Sequence, residues 1–219
     1  FYFYENDNDR NEIEKNYKIN RPITNKEAQI EICWQKLNHK PKCIIFDLDY
    51  TIWPFILDSK ILPPLRKIKQ NGNFVIYDHN DRLINHYEDV GIIIRTLKDI
   101  CFKHDPEKRF LAIASRSTTR NLALELIEML DLINYFDNFQ IYSGSKIKHM
   151  KCIKDELKLP NYDDILFFDD NKSNLQQTES LGLIGYQVRR HYGLSINELI
   201  KGLEKFNFFK ANKSKIKKC

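Results

Sequence analysis

The sequence predicts an α/β fold in which a parallel sheet is covered by helices on both faces. Short β-branched and aromatic runs recur at KCIIFD (42–47), FLAIAS (110–115) and DILFFDD (164–170), and each reads as a fully buried strand. Amphipathic segments of helical length separate them. Each run ends in Asp or Ser, at the carboxyl edge where open parallel sheets bind their ligands.

The elements follow in order. Residues 1–23 are rich in Asn and charge, carry aromatics at the very start and lack periodicity, so they read as an appendage. Thr24 followed by Glu27 forms a capping box for a helix over 24–38, completing an extension of residues 1–40. The main domain spans 41–207. Its first strand leads to Asp47 and Asp49, and TIWPFILDSKILPPL, with three prolines, then reads as an irregular loop. Two extended segments around Asp78 to Asp81 predict a hairpin flap at about 73–87. Apolar spacing from Val90 to Ile100 predicts a helix over 88–104. After the strand at 110–115, helices are expected at 118–132, 146–159, 174–181 and 195–206, with further strands at 139–144, 164–170 and 183–188. Residues 208–219 read as a basic tail.

Composition narrows the function. With 219 residues, 42% hydrophobic and 30% charged, the chain can build one sizeable α/β core. The richest apolar stretch is broken by Asp47 and Asp49 and falls short of the roughly 18 to 20 residues of a membrane span, so no membrane is expected. Five scattered cysteines without a Cys-x-x-Cys pair point to reduced thiols and a cytoplasmic placement, while the Phe1 start leaves an upstream targeting signal open. Six dispersed histidines lack zinc-ligand spacing. Much of the net charge of +5 comes from five lysines between Lys210 and Cys219, with no basic face interleaved with aromatics, so no nucleic acid is expected.

The chemistry concentrates at strand ends. Asp47 and Asp49 sit two positions apart, with Thr51 in the same phase; in an extended chain all three would share a face. Two carboxylates this close resist burial as anions, which calls for a divalent cation or a shared proton. Magnesium suits an all-oxygen set. Asp169 and Asp170 end a later strand, and neighbouring parallel strands can bring both clusters to one ion. Helix capping would explain one of these acids, not all of them. Ser115, Arg116 and Lys146 add a hydroxyl, a guanidinium and an ammonium suited to phosphate oxygens.

In order, FDLDYT, AIASRS, Lys146 and LFFDD resemble the four motifs of the haloacid dehalogenase superfamily of phosphohydrolases. More narrowly, FDLDYTIWPF, ASRS, YSGSK and FFDDNKSN resemble the eukaryotic magnesium-dependent phosphatases, over about Lys42 to Phe206. The resemblance implies a Rossmann-like three-layer α/β/α phosphatase domain with a small hairpin flap in place of a large cap. It implies that Asp47 is the nucleophile forming an aspartyl-phosphate and that Asp49 is the acid and then base. Mg2+ would bind the Asp47 carboxylate, the Asp49 carbonyl and Asp170, with the choice between Asp169 and Asp170 left open. Ser115 and Lys146 would hold phosphoryl oxygens, and Arg116 would contact phosphate or leaving group. The expected substrates are phosphotyrosine-bearing protein or a phosphorylated small molecule such as a sugar phosphate, including glycated ones. The alternatives are a phospho-accepting module like a receiver domain and a catalytically silent scaffold. In a receiver the acidic pair comes early and the Lys late, whereas here Lys146 precedes Asp169 and Asp170.

Overall fold

The computed structural model describes residues 22–216, so the expected appendage lies almost wholly outside the described residues. Helix α1 (Asn25–Lys36) starts at the expected capping box: Thr24 Oγ1 accepts from Glu27 N–H, and Glu27 Oε2 from Thr24 N–H at 2.8 Å. Ile30 and Trp34 carry α1 into the main hydrophobic core. Trp34 there meets Phe102 with ring centroids 5.2 Å apart.

Strand β1 (Cys43–Phe46) is buried along its whole length and forms the centre of the main sheet. Parallel neighbours β5 (Phe110–Ser115) and β7 (Ile165–Asp169) flank it, with β6 (Asn138–Ile141) and β8 (Ile184–Gln187) outside them. The order β6-β5-β1-β7-β8 puts the ends of β5, β1 and β7 side by side. Alternate residues of β1 face two cores: Ile44 and Phe46 pack with Phe168 and α1, while Cys43 and Ile45 pack with Met150 and Ile153. Burial on both faces is what an apolar run with no alternation encodes.

Between β1 and β5 lie α2 (Leu57–Lys60), a small antiparallel sheet and α3 (Val90–Thr96), which continues as a π-helical segment, Leu97–Phe102. The small sheet differs from the expected hairpin. It has three strands, β2 (Arg66–Gln70), β3 (Asn73–Tyr77) and β4 (Leu83–Ile84), and begins ahead of residue 73. Asn71 and Gly72, at φ 50° and 83°, supply the left-handed pair that a two-residue hairpin needs. Ile76 and Ile84 anchor the sheet in the core. Arg82 Nη1 bonds Lys60 O at 2.7 Å, and Lys67 Nζ bonds Asp131 at 2.9 Å, just beyond the end of α4 (Arg120–Met129).

The remaining helices are α5 (Lys146–Glu156), α6 (Lys172–Glu179) and α7 (Ile196–Ile216). The last of these runs ten residues past the expected end near Phe206. No Gly or Pro follows Phe206, and lysines favour both helix and a helix carboxyl end. Lys210 and Lys213 also bond Asp164 and Asp163, each at 2.9 Å. No described helix is long and apolar enough to cross a membrane.

Candidate active site

Asp47 is the first residue past β1, and its N–H donates to Phe168 O at 2.9 Å, so β7 fixes where the carboxylate emerges. The chain then leaves the extended path. Tyr50 takes a left-handed φ of 56°, uncommon for a bulky residue, and Tyr50 N–H to Trp53 O at 2.8 Å holds it there. The extended phase therefore ends after Asp49, and Thr51 does not continue it. Asp49 turns aside, accepting from Trp53 Nε1–H at 2.8 Å and from Leu57 N–H at 3.2 Å. Burial lifts the Asp49 carboxyl above its usual range against these two bonds.

Lys146, at the start of α5, is fully buried and spends all three ammonium protons. It donates to Asp47 Oδ1 at 2.6 Å and to Ala114 O at 2.5 Å, and lies 3.1 Å from Asp169 Oδ2. Burial would lower its pKa, but Asp47 and Asp169 outweigh it and keep Lys146 charged. Burial raises the Asp47 carboxyl above its usual range, Asp169 and Asp49 add to this, and Lys146 opposes it.

One oxygen from each of Asp47, Asp169 and Asp170 can lie within 4.8 Å of the others. Asp169 is saturated: Asn171 N–H and the Asn174 amide bond it at 2.8 to 3.1 Å, and Lys146 takes Oδ2. Asp170 Oδ2 meets Arg190 Nε at 2.5 Å. Its other oxygen has no described protein partner, and burial raises its pKa. Three buried carboxylates, hard oxygen donors throughout, fit Mg2+ and not a softer metal.

Ser115 ends β5, buried, and its Oγ accepts from Ser117 N–H at 3.3 Å, which leaves the hydroxyl proton to donate. Arg116 is exposed at the same edge and makes no described hydrogen bond. The structure thus gathers Asp47, Lys146, Asp169 and Asp170, sets Asp49 and Ser115 at the same carboxyl edge, and leaves Arg116 unanchored.

Sequence reasoning missed three contributors. Trp53 stacks on Phe55 at 5.7 Å and also fixes Asp49 through its indole N–H. Arg190, past β8, and Asp58, in α2, had no local signal, since their partners are 20 and about 60 residues away in sequence. Tyr87 donates its hydroxyl to Arg190 O and is thereby committed to the fold.

Residues 39–208 match the acid phosphatase family. The chain is similar to magnesium-dependent phosphatase 1 of Homo sapiens, 31% identical over 166 residues that cover 76% of this chain and 87% of that protein. It is also similar to a HAD-like hydrolase superfamily protein of Schizosaccharomyces pombe, 29% identical over 170 residues, 74% of this chain and 93% of that one. Among solved structures it resembles the N-terminal part of a Bacteroides fragilis protein, containing a phosphatase domain complexed with Mg. That likeness, at 16% identity and a TM-score of 0.50, covers 82% of this chain and 43% of the other and concerns the fold alone. The enzyme is a phosphatase with Mg2+ as its cofactor. By its match over residues 39–208, the chain belongs to the acid phosphatase family, with the magnesium-dependent phosphatases of the haloacid dehalogenase-like hydrolases.

Proposed function

We propose that the protein hydrolyses phosphomonoesters through a phosphoryl group carried on Asp47. The observation that supports this most directly is the Asp47 carboxylate, held by a buried Lys146 with Asp169 and Asp170 beside it. Asp47 Oδ1 is committed to Lys146, which leaves Oδ2 to attack phosphorus. The P–O bond to the leaving group breaks as the Oδ2–P bond forms. Asp49, whose raised pKa favours a proton, gives that proton to the departing oxygen. It then takes one from the water that cleaves the acyl phosphate, returning the Asp47 carboxylate and inorganic phosphate. The Ser115 hydroxyl donates to a phosphoryl oxygen, the Lys146 charge beside Asp47 stabilises the developing negative charge, and Arg116 reaches phosphate or leaving group from the rim.

Asp47, Asp170 and the Asp49 carbonyl would hold Mg2+, since Asp169 already has its partners. The bound ion supplies charge neutralisation between the anionic nucleophile and the phosphate.

The segment from 51 to 109 carries only α2, the small sheet and α3 with its continuation, without a large cap. An uncapped edge accommodates bulky esters, which supports phosphotyrosine-bearing protein or sugar phosphates, glycated ones included, as substrates. Cys33, Cys43, Cys101 and Cys152 are free thiols, which supports a cytoplasmic placement.

The test is p-nitrophenyl phosphate turnover with magnesium, with excess chelator, and in Asp47→Asn. Turnover that needs magnesium and drops at least about 10³-fold in the folded variant supports the reading. An Asp47→Asn enzyme as fast as wild type would overturn it. A phosphotyrosine peptide and a sugar phosphate panel then separate the substrate classes.

A further inference from the structure

Asp58 lies in α2, exposed, with no place in the chemistry described so far. Its carboxylate is nevertheless the acceptor for a whole turn. Oδ2 accepts from Thr118 N–H at 2.8 Å and Thr118 Oγ1–H at 2.7 Å; Oδ1 accepts from Thr119 Oγ1–H at 2.7 Å and from the Ser117 hydroxyl. These groups form the turn that leads into α4, whose N-cap residue Thr119 makes no side-chain cap bond of its own, so Asp58 ties that turn down from another segment. Against the burial that would raise it, these bonds hold the Asp58 carboxyl well below the usual range.

The turn it grips follows Ser115. Ser117 N–H donates to Ser115 Oγ, while the Ser117 hydroxyl donates to Asp58. On the other side, Leu57, the residue before Asp58, donates its N–H to Asp49 Oδ1 at 3.2 Å. One short helix therefore touches both the proposed proton donor and the turn that carries Ser115 and Arg116.

We propose that Asp58 is a positioning residue that clamps the 115–119 turn to α2, so that Ser115 and Arg116 are set for phosphate and Asp49 for the leaving oxygen. The inference rests on the roles assigned above to Asp49, Ser115 and Arg116. Four bonds to one carboxylate, each charge-assisted, give the clamp its strength. Misplacement of such groups by about 1 Å can cost up to about 100-fold in rate.

The experiment compares wild type, Asp58→Ala, Asp58→Asn and Asp47→Asn in p-nitrophenyl phosphate hydrolysis, inhibition by inorganic phosphate, and magnesium titration, all well below each variant's melting temperature. Asp58→Ala should raise KM and the phosphate inhibition constant about tenfold and lower kcat by a similar factor, in line with loss of preorganised contacts. Asp58→Asn, which keeps one acceptor oxygen, should recover part of both. Half-saturation by magnesium should stay at the wild-type value. If Asp58→Ala shows wild-type kcat, KM and phosphate inhibition while Asp47→Asn is inactive, the clamp is refuted and the site stands. If magnesium half-saturation moves in step with kcat, Asp58 acts through the metal and the clamp is likewise refuted. An active Asp47→Asn would instead overturn the site assignment beneath it.

Discussion

The Lys146 ammonium reaches Asp47 Oδ1 at 2.6 Å with no solvent-exposed surface on its side chain. A charge buried this deeply is stable only because two carboxylates and Ala114 O share it. The same ammonium keeps Asp47 and Asp169 from facing each other unscreened.

Replacing Lys146 by Met keeps the length and removes the charge. Breaking a buried pair from one side costs about 3–5 kcal/mol. Lys146→Met should therefore melt well below wild type in chelator and regain part of the difference with magnesium, which neutralises Asp47. Loss of this positive charge beside the nucleophile should also lower kcat by about 10²–10³. Thermal melts with and without magnesium, beside single-ester kinetics, check both statements; an unchanged melt in chelator would contradict the first.

Trp53→Phe removes the indole N–H from Asp49 while keeping a ring to stack on Phe55. A hydrogen bond contributes about 0.5–1.5 kcal/mol, and part of that orients the acid. The expected result is a kcat about tenfold lower with KM near wild type, since the indole touches Asp49 and not the turn after β5. A KM effect with kcat intact would contradict this role for the indole.

The strand ends were legible in the sequence because a buried apolar run has no use for Asp or Ser unless a site needs it. Asp47, Ser115, Asp169 and Asp170 stand out on that ground, and Lys146 stands out as an ammonium at a helix start suited to phosphate oxygens. The supports were not legible. Asp58 meets Thr118, and Arg190 meets Asp170, through packing between segments distant in sequence, and no local spacing encodes that. Strand β2 escaped for a different reason: RKIKQ is basic and largely exposed, so it lacks an apolar alternation, and only Asn71-Gly72 marked its turn.

Gly193 and Gly72 separate strain from collision. Both have positive φ, 56° and 83°, but a Cβ at Gly193 would come within 1.9 Å of the Tyr87 ring, whereas at Gly72 it meets nothing within 4 Å. Gly72→Ala should cost only the backbone term, about 1 kcal/mol. Gly193→Ala adds overpacking of about 1–3 kcal/mol and displaces the Tyr87 ring, whose hydroxyl bonds Arg190 O. Denaturant melts of the two variants should rank Gly193→Ala clearly below Gly72→Ala; equal midpoints would show that Tyr87 yields freely.

Acid should erase the advantage of Asp58 over Asn. The folded-state pKa of Asp58 is depressed below the ordinary 3.8 by the bonds from Ser117, Thr118 and Thr119. A depressed carboxyl contributes stability that is fully present above the unfolded pKa and lost as pH falls through the folded one. Wild type should therefore melt above Asp58→Asn by a constant margin at pH 5–7, and the margin should narrow as pH drops below about 4. The limit has a structural reason: a protonated Asp58 carries one hydroxyl in place of an acceptor, as Asn carries an amide. A margin that is flat from pH 6 to pH 3 would mean that the turn gains nothing from the charge on Asp58.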